Sequence, residues 1–161
     1  MQFGERATGL KRSEFDPAVA ELVKDYPIVV TTMVAWGDMD ANRHVNNVMY
    51  FRYIEHGRLR YFHDLGFSKL QQECGIGPIL AWADCRFRLP LSYPDTVSIG
   101  TRVIDLQDDR FTMQAVVVSH ALEQVAAEGQ QRLVSYDYRN NKKAPLPEPM
   151  RRLIEEFERG A

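Results

Sequence analysis

Cysteine is scarce. Cys74 and Cys85 are the whole complement of the 161 residues, and no His or second Cys lies near either at metal-ligand spacing. A disulfide framework and a zinc site are therefore excluded, and both thiols are expected to be reduced, as in a cytoplasmic protein. Long apolar runs are also missing: no stretch reaches the roughly 18 residues of a membrane span. The opening MQFGERATGLKRSEFDP carries Glu5, Arg6, Lys11 and Arg12 and no apolar core, which predicts that it is not a signal peptide. A surplus of one charge is lacking too. Twenty basic and 22 acidic side chains leave a net charge of −2, which excludes a broad electrostatic grip on nucleic acid or an anionic membrane. An anionic ligand would need a local cluster of cations. No repeat or low-complexity tract is present.

What remains has a globular composition, 45% hydrophobic with eight Phe, seven Tyr and two Trp, enough to fill the core of one domain. Residues 1–26 read as a polar N-terminal extension that decorates the domain of residues 27–161, with a short helix from Pro17 to Asp25 capped by Asp16. The β-branched run from Pro27 to Trp36 predicts a strand buried on both faces. Asn47 to Leu65 predicts a long amphipathic helix. Arg52, His56, Arg60 and His63 share one stripe, Tyr50, Phe51, Ile54, Tyr61, Phe62 and Leu65 lie opposite, and Gly66 is the stop. Four strands follow, Ile76–Leu89, Thr96–Leu106, Phe111–Ala121 and Gln124–Arg139, separated by polar breaks that favour antiparallel neighbours. A short amphipathic helix from Pro149 to Arg159 ends the chain. The order is α+β, with a five-stranded antiparallel sheet. One helix cannot cover both faces of that sheet, so pairing with a second copy of the chain is expected.

The connection before the long helix holds the densest polar chemistry: Asp38, Asp40, Asn42, Arg43, His44, Asn46 and Asn47 within ten residues. As plain structure, Asn46 or Asn47 caps the helix, Asp38 shapes a turn and the rest is solvated. As chemistry, an ionised Asp is a nucleophile or a proton acceptor, His44 can orient water or protonate a leaving group, and Asn42 can position a carbonyl. The first backbone N–H groups of the helix, near Asn47 and Val48, can polarise a carbonyl as it becomes an oxyanion. Arg58 falls near the centre of the helix's apolar arc with Glu55 one turn away. They form either a structural ion pair or a site carboxylate with its partner.

The run WGDMDANRHVNNVMYFRYIE, Trp36 to Glu55, resembles the hotdog-fold thioesterases, especially the 4-hydroxybenzoyl-CoA thioesterase and acyl-CoA thioester hydrolase group. The spacing Asp40-x-Asn42-x-His44-Val45-Asn46-Asn47 is also similar to the plant acyl-ACP thioesterases. That resemblance implies a hotdog fold, with the curved sheet wrapped around the long helix and two protomers joined edge to edge as a homodimer or homotetramer. It implies an acyl-CoA thioesterase with Asp40 as catalytic carboxylate and Asn42, His44, the Asn47 region and Glu55 as further site residues. No metal and no resident cofactor are implied. Coenzyme A would arrive as part of the substrate, its phosphates met by Arg88, Arg110, Lys142 and Lys143, with Arg86, Arg102, Arg132 and Arg139 as further candidates. Trp82, Phe87 and Tyr61 are candidates to line an acyl tunnel. A hotdog dehydratase of acyl thioesters, or a noncatalytic acyl-thioester binder, would share the fold but not the hydrolysis.

Overall fold

The computed structural model describes residues 10–160, so the first nine residues of the N-terminal extension lie outside the described residues. Strands β1 (Ile28–Met33), β2 (Ile76–Ala83), β4 (Thr96–Leu106), β5 (Arg110–Ser119) and β6 (Gln124–Asp137) form one antiparallel sheet in the order β1-β4-β5-β6-β2. Two two-residue strands, β3 (Arg86–Phe87) and β7 (Lys142–Lys143), each pair with β6. Helices α1 (Pro17–Leu22), α2 (Asn47–Asp64), α3 (Phe67–Cys74) and α4 (Glu148–Arg159) complete the chain. A long helix gripped by an antiparallel sheet, with a short helix closing one end, is the hotdog fold.

The sheet holds α2 through one contact that only glycine permits. Gly57 lies against β4 so closely that an added Cβ would collide with Thr101 Oγ1 and press on Ile99. Either side of it, Tyr50, Tyr53, Ile54 and Tyr61 are buried. A Gly57→Ala substitution gains up to ~1 kcal/mol of helix propensity, but overpacking against a strand typically costs ~1–3 kcal/mol. The collision wins because Thr101 and Ile99 are fixed in the ladder. The variant is expected to unfold at lower urea concentration than the wild type; an unchanged or raised midpoint would show that the helix can shift outward freely.

Several elements depart from the sequence reading, each for a physical reason. β1 is an edge strand, bonded only to β4, and most of its residues are only partly buried. Its run of β-branched residues reflects strand propensity rather than burial on both faces. The expected strand Ile76–Leu89 breaks at Asp84, whose N–H donates to Gln130 O (2.9 Å) and whose Oδ1 accepts the Gln130 N–H (2.8 Å), turning the chain between β2 and β3. Gly66 does stop α2, with φ +71°, but α3 begins at once and ends at Gly75, φ +78°. The turns at 107–110 and 120–123 join neighbouring strands, whereas the break at Tyr93-Pro94-Asp95, which holds a cis Tyr93–Pro94 bond, leads to β4 on the far side of β5.

The N-terminal segment is more than decoration. Asp16 caps α1 through the Ala18 N–H (2.9 Å), and Val19 and Val23 pack fully buried on Val116 and Val118 of β5. Part of the sheet face away from α2 is therefore covered by this chain itself. Exposed apolar side chains include Ile79, Leu80 and Trp82 at the β2 edge and Val48, Phe51 and Leu59 along α2.

Candidate active site

Residues 38–46 form a miniature hairpin set against the start of α2. Met39 and Val45 make an isolated antiparallel bridge, and the Asn46 N–H donates to Asp38 O (2.8 Å). Above that bridge the Asp40 N–H donates to His44 O (2.8 Å) and the Arg43 N–H to Asp40 O (3.0 Å). Arg43 has φ +61°, so Arg43 and His44 together oppose Asp40, as in a three-residue hairpin loop closed by a bulge. This fold of the loop brings Asp40, Asn42 and His44 onto one tight turn, all three exposed to solvent in the single chain.

The turn fixes half of the Asp40 carboxylate. Oδ1 accepts the Asn42 N–H at 2.8 Å, so the backbone of Asn42, rather than its amide side chain, orients Asp40. The other carboxylate oxygen accepts no hydrogen bond among the described residues. Asp38 has the turn-shaping role expected of it: Oδ2 accepts the Ala35 N–H (3.0 Å) and the Tyr53 hydroxyl (2.9 Å). Burial, and then the Asp38 carboxylate, push the Tyr53 phenol well above its ordinary range, so Tyr53 stays a donor.

Helix α2 supplies the remaining parts. Asn46 is the cap, its Oδ1 accepting the Val48 N–H (3.0 Å), and its carbonyl accepts the Met49 N–H (2.9 Å). That removes Val48 from the expected oxyanion donors. Among the described residues, Asn47 keeps the first-turn N–H without a protein partner. Tyr50 ties the next loop to the site by donating to Leu89 O (3.2 Å) and accepting the Leu91 N–H (3.1 Å); Leu91 O in turn accepts the Val45 N–H (2.8 Å). Tyr50 and Tyr53 thus hold the two loops that frame Asp40. The sequence reading assigned neither a site role, although two tyrosines three apart on the inward side of the helix were visible.

Glu55 and Arg58 pair at 3.2 Å, and Arg58 also donates to Gln131 Oε1 on β6. Burial lowers the Arg58 pKa, opposed by Glu55. Arg58 lies at the rim of the buried arc rather than its centre, because Tyr53 and Gly57, not Phe51, face the sheet. Tyr61 is no tunnel residue: it is fully buried, and its hydroxyl donates to Glu158 Oε1 (2.7 Å). Trp82 stacks under Arg132 on the outer face, its ring centroid 5.6 Å from the guanidinium carbon. Phe87 meets the Tyr50 ring edge-on at 5.1 Å.

The four candidate phosphate ligands do not gather. Arg88 bonds Glu128 (2.7 Å) near Ala126, whereas Arg110 pairs with Val134 across the ladder and bonds Asp109 (2.6 Å). Arg110 first, then nearby Lys143, hold the Asp109 carboxyl below its usual range. Lys142 and Lys143 sit opposite Asp137 and Tyr136 on β7. The two groups lie toward opposite ends of β6, roughly 25–35 Å apart at the rise of a strand. Among the described residues, no group of three or more His, Cys, Asp or Glu side chains is placed to hold a metal ion and no helix is long and apolar enough to cross a membrane.

Residues 34–154 match the family model of the thioesterase-like superfamily. Among solved structures, a thioesterase of Thermus thermophilus, crystallised with coenzyme A and zinc, is 28% identical, with 84% of this chain and 96% of that one covered at a TM-score of 0.74. A gentisyl-coenzyme A thioesterase is 25% identical over 79% of this chain and 99% of that chain, TM-score 0.69. A Staphylococcus aureus protein solved with CoA shares the fold at a TM-score of 0.75 and 14% identity, over 81% of this chain and 83% of that one.

Proposed function

The chain belongs to the thioesterase-like superfamily and is a thioester hydrolase, and from that premise we propose that it cleaves acyl-CoA thioesters to the free acid and coenzyme A, with Asp40 as the reacting carboxylate. The observation that carries this reading is the joining of two opposite chemistries at one place. Asp40 has one oxygen pinned by the Asn42 N–H and the other open, and the loop that bears it is bonded to the start of α2, where the Asn47 N–H has no partner. A thioester carbonyl whose oxygen meets that N–H is polarised there, by the amide itself and by the positive end of the helix dipole. The Asp40 oxygen then attacks the carbonyl carbon, or takes a proton from a water that does so; the C–S bond breaks and the thiolate is protonated. His44, which opposes Asp40 across the bulge, is the candidate proton donor, and Asn42 acts through its main chain. Glu55 is best supported as the partner of Arg58 rather than as a second reacting carboxylate.

The protein brings no resident cofactor in this reading, since coenzyme A is part of the substrate. Arg88 is the favoured phosphate contact, because neighbouring Phe87 packs on Tyr50 at the N-terminal end of α2. Arg110, Lys142 and Lys143, at the far end of β6, would serve only a site of a neighbouring copy. Neighbouring copies are expected: an exposed β2 edge carrying Ile79, Leu80 and Trp82 suits edge-to-edge pairing as a homodimer, or a homotetramer built from it. The test is thiol release from a panel of acyl-CoAs of aliphatic and aromatic type, with light scattering at micromolar protein. Release of thiol by a dimer or tetramer is the expected result. Formation of an enoyl product would make it a dehydratase, and binding without turnover an acyl-thioester binder.

A further inference from the structure

Residues 11–26 cross the face of the sheet turned away from α2 as a strap, and they precede residues 34–154, the part of the chain that matches the family. Three grips hold the strap down. In its middle, Val19 and Val23 are fully buried against Val116 and Val118. At its C-terminal end the Tyr26 ring lies so close over Gly100 that an added Cβ would collide with it, and the Arg102 guanidinium carbon sits 5.0 Å from the ring centroid. Arg12 ties the two ends together by donating to Val23 O (2.8 Å) and to Tyr26 O. The third grip is Phe15 on His120, just past the end of β5, with ring centroids 5.2 Å apart and the planes at 84°.

That third grip differs from the others because its receptor titrates. His120 Nε2 is 2.8 Å from Ser98 Oγ, which lies 3.1 Å from Thr31 Oγ1, and Ser98 is fully buried. Nδ1 has no hydrogen-bond partner among the described residues. A neutral ring suits this setting in either tautomer, since both hydroxyls can donate or accept. A protonated ring does not, because it brings a second N–H without a protein acceptor and a full charge against Phe15. The charged groups that act on the ring are Asp95, just before β4, and Asp16, on the strap; β1 contributes the neutral Thr31. Burial lowers the His120 pKa, and the two carboxylates oppose that without cancelling it.

We propose that His120 is a pH-sensitive latch for the strap: the neutral ring, set between Phe15 and Ser98, keeps residues 11–26 docked, and a proton on the ring loosens them. Opening frees the ring from its cover, so the open state takes up a proton more readily than the docked one. Docking is therefore at full strength above 6.5, the ordinary histidine value. Below it, docking weakens by up to about tenfold per pH unit until the docked ring itself protonates. What opens is an apolar patch of Val116 and Val118 with Val29 and Val125 beside them. The other histidines, His44, His56 and His63, belong to the Asp40 turn and to α2, so His120 is the one that titrates under the strap in this range. The latch stands apart from the thioester chemistry.

Hydrogen exchange at the amides of Ala20, Val23 and Tyr26, all bonded within the strap, reads docking directly. Between pH 7.5 and pH 5.5 their protection factors are expected to fall at least about threefold in the wild type. In His120→Gln, whose amide can still bond Ser98 but takes no proton, they are expected to change by less than about 1.5-fold. A level profile in the wild type overturns the latch, as does a pH dependence that persists in His120→Gln. Should that variant not fold, the reciprocal measurement decides. Followed by NMR, the His120 ring is expected to titrate at a pH about 0.5 higher in Phe15→Ala than in the wild type, because removing the cover returns the ring to water. Identical titration curves in the two proteins also overturn it.

Discussion

Asp40→Asn is expected to lower thioester turnover by at least about two orders of magnitude, some 2.7 kcal/mol of transition-state stabilisation, while the protein remains folded. The fold is expected to tolerate the change because the side chain is exposed and an Asn oxygen can still accept the Asn42 N–H. The loop geometry also depends on the Asp40 backbone, through bonds to His44 and Arg43, which the substitution leaves in place. What is lost is the second, negatively charged oxygen. Neither nucleophilic attack nor proton abstraction survives that loss, so the prediction holds for both routes. Far-ultraviolet circular dichroism and the urea midpoint should match the wild type, and kcat should carry the change. Turnover within a few-fold of wild type would move the chemistry to another carboxylate, with Glu55 first in line. A combined loss of turnover and of folded structure would leave the role of Asp40 to be read from Asp40→Ser, which keeps a short acceptor for the Asn42 N–H.

The architecture was largely legible because its signals are local. Asp16 before Pro17, Asn46 before Asn47 and Gly66 after Leu65 each announce a helix boundary through capping chemistry that needs no tertiary context, and all three act as boundaries. The β4–β5 and β5–β6 hairpins were equally visible, since polar turn residues separate β-branched runs. The failures occur where distant residues decide. Tyr53 and Gly57 face the sheet, Tyr53 bonded to Asp38 and Gly57 pressed against Thr101, so a stripe that leaves these two out and counts Phe51 and Phe62 rotates the buried arc toward Phe51. β1 carries the composition of a central strand and lies at an edge, because strand order is set by crossovers and not by the strand's own residues. Helix α3 was missed although Gly66 and Gly75 bracket it, an omission that closer attention to paired glycines would have repaired. At the site, the polar turn stood out by density alone. The division of labour within it did not: the Asn42 main chain, the Tyr50 and Tyr53 hydroxyls and the exclusion of Val48 are hydrogen-bond facts, and Gln131 lies some seventy residues away in sequence from the helix it meets.

The oxyanion donor can be tested despite being a main-chain group, because of where it sits. Asn46 is the cap and Asn47 the first helical residue, the one position of a helix where proline is readily accommodated, since its ring matches the helical φ and the lost N–H makes no intrahelical bond. A proline also restricts the residue before it to extended backbone, and Asn46 already has φ −57° and ψ 138°. Asn47→Pro therefore deletes one N–H and is expected to leave the helix, the Asn46 cap on Val48 and the overall stability in place. Turnover is expected to fall by about 10²–10³, the usual effect of removing one oxyanion donor, and to appear in kcat more than in KM because the bond strengthens as the carbonyl oxygen gains charge. Asn47→Ala is the matched comparison: it removes the side chain, keeps the N–H, and should retain most of the activity. The two variants together separate the amide from the side chain. A large loss in Asn47→Ala would assign the work to the carboxamide, and full activity in a folded Asn47→Pro enzyme would place the oxyanion donor elsewhere than the start of α2.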